Sequence, residues 1–363
     1  MKKKVMFMIP TLGSGGAESI LVDLLQKIDN EKFDLTLIIL NKYGKNLGRI
    51  TDKYKVKFLN ENNNKLNEKF QKAFIKYLPK LYYKLKIKEK YDVEIAYLEG
   101  LATKLVANSN NSKSKKIAWV HCELNKHNWV KRYFRENEQE NIYNKFNEII
   151  FVSNTCKNSF DKEFDVNTNK KVIYNPIDVE NIRVKANDKN IVFKFKTAIA
   201  VGSLTKVKGF DRLIDSYALN EKKLGYNLLI IGEGRERENL EKKISDYSLQ
   251  EKVKLLGYKE NPYPYIKSAD VFVSSSYSEA YPTVLLEAIS LEKPIIATNI
   301  NANNEVLEFG KVGIICDDDE DLALKVEKII NDRELLQKYS KLSSEKSKTL
   351  NYKKIVECIE SIF

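Results

Sequence analysis

Residues 274–298 read SSSYSEAYPTVLLEAISLEKPIIAT and contain one full repeat of an α/β fold. The serines end the apolar run ADVFVSSS, which predicts a buried strand. Pro282 suits the first turn of a helix, since proline lacks an amide hydrogen and its φ is already helical. The apolar positions of TVLLEAISL predict that helix, and KPIIAT predicts the next strand. A strand, a helix and a strand in this order indicate a parallel sheet covered by helices.

The same alternation extends outward from this stretch. In the second half, TAIAVGS at 197–203 and NLLIIGEG at 227–234 predict strands on either side of a helix through GFDRLIDSYAL. In the first half, six apolar runs predict strands: VMFMIP at 5–10, LTLIIL at 35–40, VKFL at 56–59, VEIAYL at 93–98, KIAWVH at 116–121 and EIIFVS at 148–153. Near-continuous apolar strands are typical of a sheet with both faces covered. The sequence therefore predicts two doubly wound α/β domains.

The length of 363 residues exceeds what one hydrophobic core usually serves. The Asn175–Pro176 turn and the polar stretch after it indicate a linker near residues 175–195. We predict an N-terminal domain over residues 1–180 and a C-terminal domain over residues 190–345. A last helix over 346–363 either closes the second domain or crosses back to the first.

Positive charge is concentrated in the first half of the chain. The net charge is +12, and residues 1–180 hold 33 basic and 22 acidic side chains, against 29 and 28 in the remainder. An excess of this kind indicates an anionic partner, for which nucleic acid, membrane lipid and nucleotide all qualify. Nucleic acid is not expected, because no nucleic-acid-binding module is recognisable.

The stretch Lys65–Tyr91 contains nine Lys and two Glu interleaved with aromatic and aliphatic residues. It predicts one or two amphipathic basic helices, broken near Pro79. One alternative is a solvated helix that packs its apolar stripe on its own domain. We favour contact with an anionic membrane surface, because packing alone leaves the charge bias unexplained. Four lysines are the predicted membrane contacts: Lys72, Lys76, Lys80 and Lys84.

The composition also indicates the compartment. No run approaches the roughly 18 uncharged apolar residues that a membrane-spanning helix needs. The four cysteines, Cys122, Cys156, Cys316 and Cys358, are scattered singly and show neither zinc-site spacing nor a disulfide framework. We expect a reduced, cytoplasmic chain that associates peripherally with the inner face of the plasma membrane.

Ligands of doubly wound sheets bind beyond the carboxyl ends of the strands, so the loops there are the candidate sites. In the first domain, TLGSGGAES follows the first strand, and Gly15 and Gly16 allow close backbone approach to a ligand. A tight turn is the alternative. His121 ends a strand in WVHCEL, with Glu123 two residues later. A neutral imidazole there can donate or accept a hydrogen bond, although a structural histidine is the alternative.

The second domain offers three candidate loops. VGSLTKVKG places Ser203 and Lys208 after its first strand, and a lysine there supplies a point charge for a phosphate. IGEGRERENL places Gly234 and Arg235 at a helix entrance. In the third loop Glu279 precedes the Pro-started helix, whose first amides point outward as donors for a diphosphate, and Glu287 lies within it. We interpret the acidic triplet 317–319 as an exposed helix cap rather than a metal site.

Taken together, the GSGGAE loop, His121, Asn175–Pro176, VGSLTKVKG and the Glu279/Glu287 pair resemble the retaining, nucleotide-sugar-dependent glycosyltransferases of family four, of the bacterial capsule and surface-polysaccharide type. The resemblance covers essentially the whole chain. It implies the GT-B fold, in which two Rossmann-like domains face each other across a cleft. Two departures stand out, since many relatives have an Arg where this chain has Ser203 and a Gly where it has Ala280.

The resemblance also implies roles for the candidate residues. Glu279 would contact the transferred sugar near the anomeric centre, Glu287 would bind the ribose, and Lys208 would hold the diphosphate. The catalytic residues on this basis are Glu279, His121 and Lys208. The donor-binding residues are Ser203, Lys208, Gly234, Arg235, Tyr281, Pro282, Thr283, Val284 and Glu287, and the acceptor-side residues are Gly15, Gly16 and Glu123.

The resemblance further implies a retaining transfer without metal or cofactor. A hexosyl or N-acetylhexosaminyl unit would pass from a nucleotide sugar, a UDP-sugar on family grounds, to a lipid-linked or surface-glycan acceptor. Two alternatives stay open. A nucleotide-sugar epimerase or hydrolase on the same fold would act on the donor alone, and the change at Ser203 is compatible with a non-catalytic partner subunit.

Overall fold

The computed structural model describes residues 1–13, 15–61, 64–126 and 128–363. The chain divides into two compact units. The first contains Met1–Pro176 and Lys353–Phe363, and the second contains Ile177–Tyr352. The stretch after Pro176, interpreted from sequence as a linker, instead begins the second unit with a helix.

The first unit contains a parallel sheet of seven strands in the order β3-β2-β1-β4-β5-β6-β7. Its strands are β1 (Lys3–Ile9), β2 (Phe33–Asn41), β3 (Lys55–Asn60), β4 (Val93–Ala96), β5 (Lys115–Val120), β6 (Glu148–Phe151) and β7 (Asn169–Val172). Its helices up to this point are α1 (Gly16–Leu25), α2 (Lys65–Tyr77), α3 (Pro79–Lys86), α4 (Leu101–Ala107), α5 (Glu138–Tyr143) and α6 (Asn154–Glu163).

The second unit contains a parallel sheet of six strands in the order β10-β9-β8-β11-β12-β13. The strands are β8 (Thr197–Val201), β9 (Asn227–Ile231), β10 (Val253–Leu255), β11 (Val271–Ser274), β12 (Ile295–Thr298) and β13 (Ile314–Cys316). The helices are α7 (Val179–Lys185), α8 (Phe210–Asn220), α9 (Arg237–Asp246), α10 (Tyr263–Ser268), α11 (Thr283–Ser290), α12 (Asn301–Val306), α13 (Leu322–Asn331) and α14 (Arg333–Thr349).

Helices bury both faces of the second sheet. Leu213 of α8, Leu240 of α9 and Val326 of α13 pack in the core on one face. Ile182 of α7 and Leu285 of α11 pack in the core on the other. A strand between two such cores must be apolar on both sides, which explains why the strands are continuous apolar runs. The predicted fold class, two doubly wound parallel-sheet domains, is confirmed.

The last helix, α15 (Tyr352–Ser361), packs on the first unit. The Phe363 ring meets Phe7 edge-on at 5.8 Å and Phe33 at 5.2 Å. Lys115 Nζ donates to the Ile362 carbonyl at 2.6 Å, and the Asp29 amide donates to Glu360 Oε1 at 2.8 Å. The chain therefore ends inside the core of the unit in which it began.

The basic stretch forms two helices separated at Leu78, and Pro79 is the first residue of α3. Gln71 and Ile75 of α2 and Tyr82 of α3 are buried against the first unit. Pro79 lacks the amide hydrogen that would continue α2, so the chain breaks at the residue before it. The predicted break near Pro79 is confirmed.

Candidate active site

In the second unit, β8 and β11 are neighbouring parallel strands, so the loops that follow them meet at one edge of the sheet. Lys208 ends the short turn Lys206–Lys208 after β8, and its Nζ lies 2.6 Å from Glu279 Oε1. Ser276 Oγ donates to the same carboxylate oxygen at 2.6 Å. The structure thus brings together two of the three predicted catalytic residues and fixes the Glu279 carboxylate from two sides.

A glycine holds the two loops at this separation. Gly209 has a φ of +62°, and a Cβ there would overlap the Ser275 carbonyl oxygen. Ser275 Oγ returns a hydrogen bond to the Lys208 carbonyl at 3.0 Å. Only glycine adopts this conformation at this distance without strain, so the approach of Lys208 to Glu279 is built into the backbone.

Arg212 of α8 supports the loop that carries Glu279. Its Nε donates to the Ser275 carbonyl at 2.7 Å, and its Nη2 donates to the Ser276 carbonyl. Its Nη1 lies 2.9 and 3.0 Å from the two oxygens of Asp319, and its guanidinium lies 3.9 Å from the centre of the Tyr277 ring. Arg212 thereby fixes the direction in which the chain leaves β11.

This cluster went unnoticed in the sequence, where Arg212 is 63 positions from Ser275 and 107 from Asp319. The interpretation of Asp319 as an exposed helix cap is wrong. The helix begins at Leu322 with Asp321 as the residue before it, and Asp319 instead pairs with Arg212. A carboxylate two residues upstream of the cap position is close enough to the loop after β11 to make this contact.

Helix α11 begins beside the Lys208–Glu279 pair in the sequence. Pro282 is buried and immediately precedes the first helical residue, Thr283, so the proline lies one position earlier than predicted. Tyr281 packs partly buried against the core beneath the helix. The amides of Thr283 and Val284 fall in the first turn, where helix geometry provides no intrahelical acceptor. The partial positive charge of a helix N-terminus therefore lies four residues after Glu279.

Glu287 follows one turn later on α11 and is partly buried. Burial raises its pKa to about 7, and the positive charge of Lys208 opposes this rise. Both protonation states are therefore populated near neutral pH. A carboxyl group in this condition can accept or donate hydrogen bonds to a hydroxyl-bearing ligand.

The remaining predicted donor residues have different environments. Ser203 is exposed in the loop after β8. A Cβ on Gly234 would overlap the Leu204 carbonyl, so this glycine allows the loops after β8 and β9 to touch. Arg235 is largely exposed, with Glu236 at 3.9 Å, whereas Arg237 is paired with two glutamates. Of the two arginines, Arg235 has the less compensated charge.

In the first unit, the predicted residues follow the neighbouring strands β1, β4 and β5. His121 comes directly after β5, and its ring lies 4.7 Å from the Tyr97 ring. Burial lowers the His121 pKa to about 3, so the ring is neutral at physiological pH. Within the described residues, His121 Nε2 is buried without a hydrogen-bond partner. Glu99, which sequence reasoning missed, is buried and accepts a hydrogen bond from the His121 amide.

The glycine loop after β1 has a carboxylate beside it. Gly15 is the residue before α1 and Gly16 is its first residue, and both are exposed. A Cβ on Gly15 would overlap the Glu18 carboxylate, whose pKa is raised by burial. Glu123 is buried, and Lys126 Nζ lies 2.9 Å from its Oε2. Glu123 therefore has its own counter-ion.

The four predicted membrane lysines divide into two pairs. Lys72 Nζ lies 2.5 Å from Glu68 Oε1, and Lys76 Nζ donates to the Arg132 carbonyl at 2.9 Å. Lys80 and Lys84 are exposed on α3. None of the helices in the described ranges is both long enough and apolar enough to cross a membrane. The same ranges contain no group of three His, Cys, Asp or Glu side chains placed to hold a metal ion.

Comparisons with known proteins agree with this architecture. Residues 181–346 match the family model described as Glycosyl transferases group 1. The chain is 27% identical over 97% of its length to the Campylobacter jejuni N-acetylgalactosamine-N,N'-diacetylbacillosaminyl-diphospho-undecaprenol 4-alpha-N-acetylgalactosaminyltransferase, of which it covers 97%. It is 33% identical to the Staphylococcus aureus capsular polysaccharide biosynthesis glycosyltransferase CapM, over 37% of each chain.

Solved structures extend the likeness over the whole chain. Anabaena HepE, crystallised with UDP and glucose, aligns with a TM-score of 0.76 at 18% identity over 99% of both chains. S. aureus TarM, crystallised with UDP and two glycan ligands, aligns with a TM-score of 0.76 at 16% identity over 98% of both. At these identities the likeness shows the fold, which is GT-B. Together with the family model and the curated relatives, it identifies the chain as a group 1 glycosyltransferase, and the resemblance seen in the sequence is confirmed.

Proposed function

We propose that this glycosyltransferase moves a hexosyl or N-acetylhexosaminyl unit from a UDP-sugar to a lipid-linked or surface-glycan acceptor, with retention of anomeric configuration and without a metal. Two relatives support the choice of substrates. The Campylobacter relative is named for transfer to a diphospho-undecaprenol-linked acceptor, and HepE was crystallised with UDP and glucose. Relatives named for capsule and lipopolysaccharide synthesis favour a role in polysaccharide assembly.

The observation that carries the proposal is the contact of Lys208 with Glu279, four residues before the N-terminus of α11. Cleavage of the bond between sugar and diphosphate leaves negative charge on the departing phosphate. A fixed ammonium group and outward-facing amides stabilise such charge without reorganising during the reaction. In this proposal Lys208 and the amides of Thr283 and Val284 hold the diphosphate, and Arg235 adds charge where Ser203 replaces the arginine of many relatives.

Glu279 is proposed to lie against the sugar at its anomeric carbon. Its carboxylate is held by Lys208 and Ser276, so it is positioned before the donor binds. Negative charge at this position stabilises the oxocarbenium-like centre that develops as the bond breaks. Glu287, eight residues later, is proposed to accept both hydroxyls of the ribose in its ionised form.

The first unit is proposed to bind the acceptor. His121 is neutral there, so it acts as a hydrogen-bonding group rather than as a cation. Gly15, Gly16 and Glu123 complete this side. Lys80 and Lys84, exposed on α3, are proposed to contact the anionic inner face of the plasma membrane, where a lipid-linked acceptor is presented.

A panel of nucleotide sugars, assayed for release of the nucleoside diphosphate, tests the proposal. We expect Glu279→Gln to lower turnover by roughly 10²–10³-fold, the usual cost of removing one group that stabilises transition-state charge. The matched control is Glu251→Gln, because Glu251 is almost fully exposed in the same unit. The melting temperatures of both variants should stay close to that of the native chain.

Full turnover by Glu279→Gln would remove Glu279 from the reaction. The products separate the alternatives. An epimerase would convert the donor in the absence of any acceptor, and a non-catalytic subunit would release nucleoside diphosphate from no member of the panel.

A further inference from the structure

A groove of about 670 Å³ runs along the surface of the first unit, between the end of β3 and helices α2 and α3. Apolar and aromatic side chains form most of its lining, principally Leu59, Phe70, Phe74, Tyr77, Leu78 and Tyr82. Ligand-binding pockets for small molecules have volumes in the range of about 300–1,000 Å³ and are lined mainly by such residues. The groove therefore has the size and the chemistry of a binding site.

The floor of the groove is fixed by internal contacts. Phe74 and Tyr82 meet edge to face with their ring centres 5.4 Å apart. The Gln71 amide donates to Tyr82 Oη at 2.9 Å and to the Leu40 carbonyl at 3.1 Å. These polar hydrogens are thereby engaged within the protein. A ligand would consequently meet a preformed apolar surface, which lowers the entropy lost on binding.

The rim exposes large apolar side chains to solvent. Phe70 is 67% exposed, Tyr77 is 56% exposed and Leu78 is 54% exposed. Single exposed apolar residues are common, but a contiguous group beside an apolar groove indicates a surface that a partner covers. The partner must supply hydrocarbon, because nothing on this rim would hydrogen-bond a polar ligand well.

The charge around the groove indicates the other half of the ligand. Among the described lining residues, Lys86 carries the only charge. Lys80 and Lys84 are exposed on the same helix, and the stretch Lys65–Tyr91 has nine Lys against two Glu. An apolar groove within a cationic surface is complementary to an amphiphile with a hydrocarbon chain and an anionic head group.

We infer that this groove binds the hydrocarbon chain of the lipid-linked acceptor, with the anionic head group beside Lys86. The inference rests on the proposed function, since it takes the acceptor to be an anionic lipid. The groove would draw one chain out of the bilayer while α3 lies on the membrane surface. Part of the acceptor would then be recognised by its lipid and not only by its sugars.

Farnesyl diphosphate, titrated calorimetrically into the full chain below its micelle concentration, is a suitable probe. Ala73 lies in the groove wall and is exposed, so Ala73→Trp fills the groove without removing a buried contact. We expect this variant to bind farnesyl diphosphate at least tenfold more weakly. Lys69→Trp adds the same side chain to the same helix outside the groove, and its affinity should stay within about twofold.

Unchanged affinity in Ala73→Trp would overturn the inference, as would equal losses in the two variants. Binding of inorganic diphosphate as tight as that of farnesyl diphosphate would also overturn it, because the chain would then contribute nothing. Asn67→Trp, at a second exposed position in the lining, provides a repeat if Ala73→Trp does not fold. UDP titrated into the same proteins reports on the donor site separately, so failure of UDP to bind would count against the proposed function and not against the groove.

Discussion

The cations of the two units are used in different ways. In the second unit, which is nearly neutral, Lys208 and Arg212 are each fixed to named partners at 2.6–3.0 Å. In the first unit, where the excess positive charge lies, Lys80 and Lys84 stand exposed on one short helix. A few oriented charges suit a reaction that needs charge at one point, whereas many exposed charges suit attraction to a broad anionic surface.

This difference should be visible in the dependence on salt. Exposed charges are screened over about 8 Å at physiological ionic strength, and partly buried pairs are screened much less. Donor binding through Lys208 is therefore expected to change little with salt, while membrane attachment weakens. The predictions below test this contrast in order of decreasing effect.

The largest effect is expected at Lys208. We predict that Lys208→Ala lowers kcat/KM for the UDP-sugar by about 100-fold, since it removes the ammonium group proposed to offset the leaving phosphate. Lys206→Ala is the matched control, because Lys206 lies in the same turn and is exposed. Steady-state kinetics with both variants provide the measurement. Equal losses in the two would mean that general positive charge, and not the fixed contact with Glu279, serves the reaction.

A smaller effect is expected from the protonation of Glu287. Its pKa is about 7, so it is mostly protonated at pH 6 and mostly ionised at pH 8. If the ionised form accepts both ribose hydroxyls, the affinity for UDP should rise by roughly tenfold over this interval, since one pH unit below the pKa about nine-tenths of the groups carry a proton. Calorimetric titration of UDP at several pH values measures this change.

Glu287→Gln separates this effect from the titration of the UDP phosphate, which both proteins share. The variant has no carboxyl group at this position and should lose the part of the pH dependence that Glu287 contributes. Identical pH profiles for the native chain and Glu287→Gln would show that Glu287 does not contact the ribose in an ionised form.

The smallest effect is expected at the membrane surface, where each exposed lysine contributes about 1 kcal/mol. We predict that Lys84→Gln weakens binding to anionic liposomes by roughly fivefold at low salt. Lys72→Gln should have little effect, because Lys72 is already paired with Glu68. Liposome sedimentation measures both variants. A larger loss with Lys72→Gln than with Lys84→Gln would contradict the division of the four lysines seen in the structure.

The parts of the fold that could be predicted from the sequence are those with a local cause. Apolar runs predicted strands because a strand covered on both faces must be apolar throughout. Pro79 predicted a helix break, and Pro282 predicted a helix start to within one residue. Helix α7 was missed because its polar composition outweighed its local signals, although the Asp178 side chain caps it at the Asn181 amide and Ile182 is buried.

The parts that could not be predicted depend on contacts between distant positions. Arg212 meets Ser275 and Asp319 only because α8 and the loops after β11 and β13 converge at one edge of the sheet. Glu99 meets His121 for the same reason in the first unit. The groove beside α2 likewise depends on how that helix packs against β3. No spacing rule in the sequence identifies such partners.

Hydrogen exchange of the full chain with and without UDP tests the central contrast most directly. The account predicts slower exchange of the backbone amides in two segments of the second unit, 206–209 and 276–287. Exchange in helices α2 and α3 should not change. Protection confined to the first unit, or slower exchange in α2 and α3 with none around Lys208 and Glu279, would contradict the assignment of the donor to the second unit.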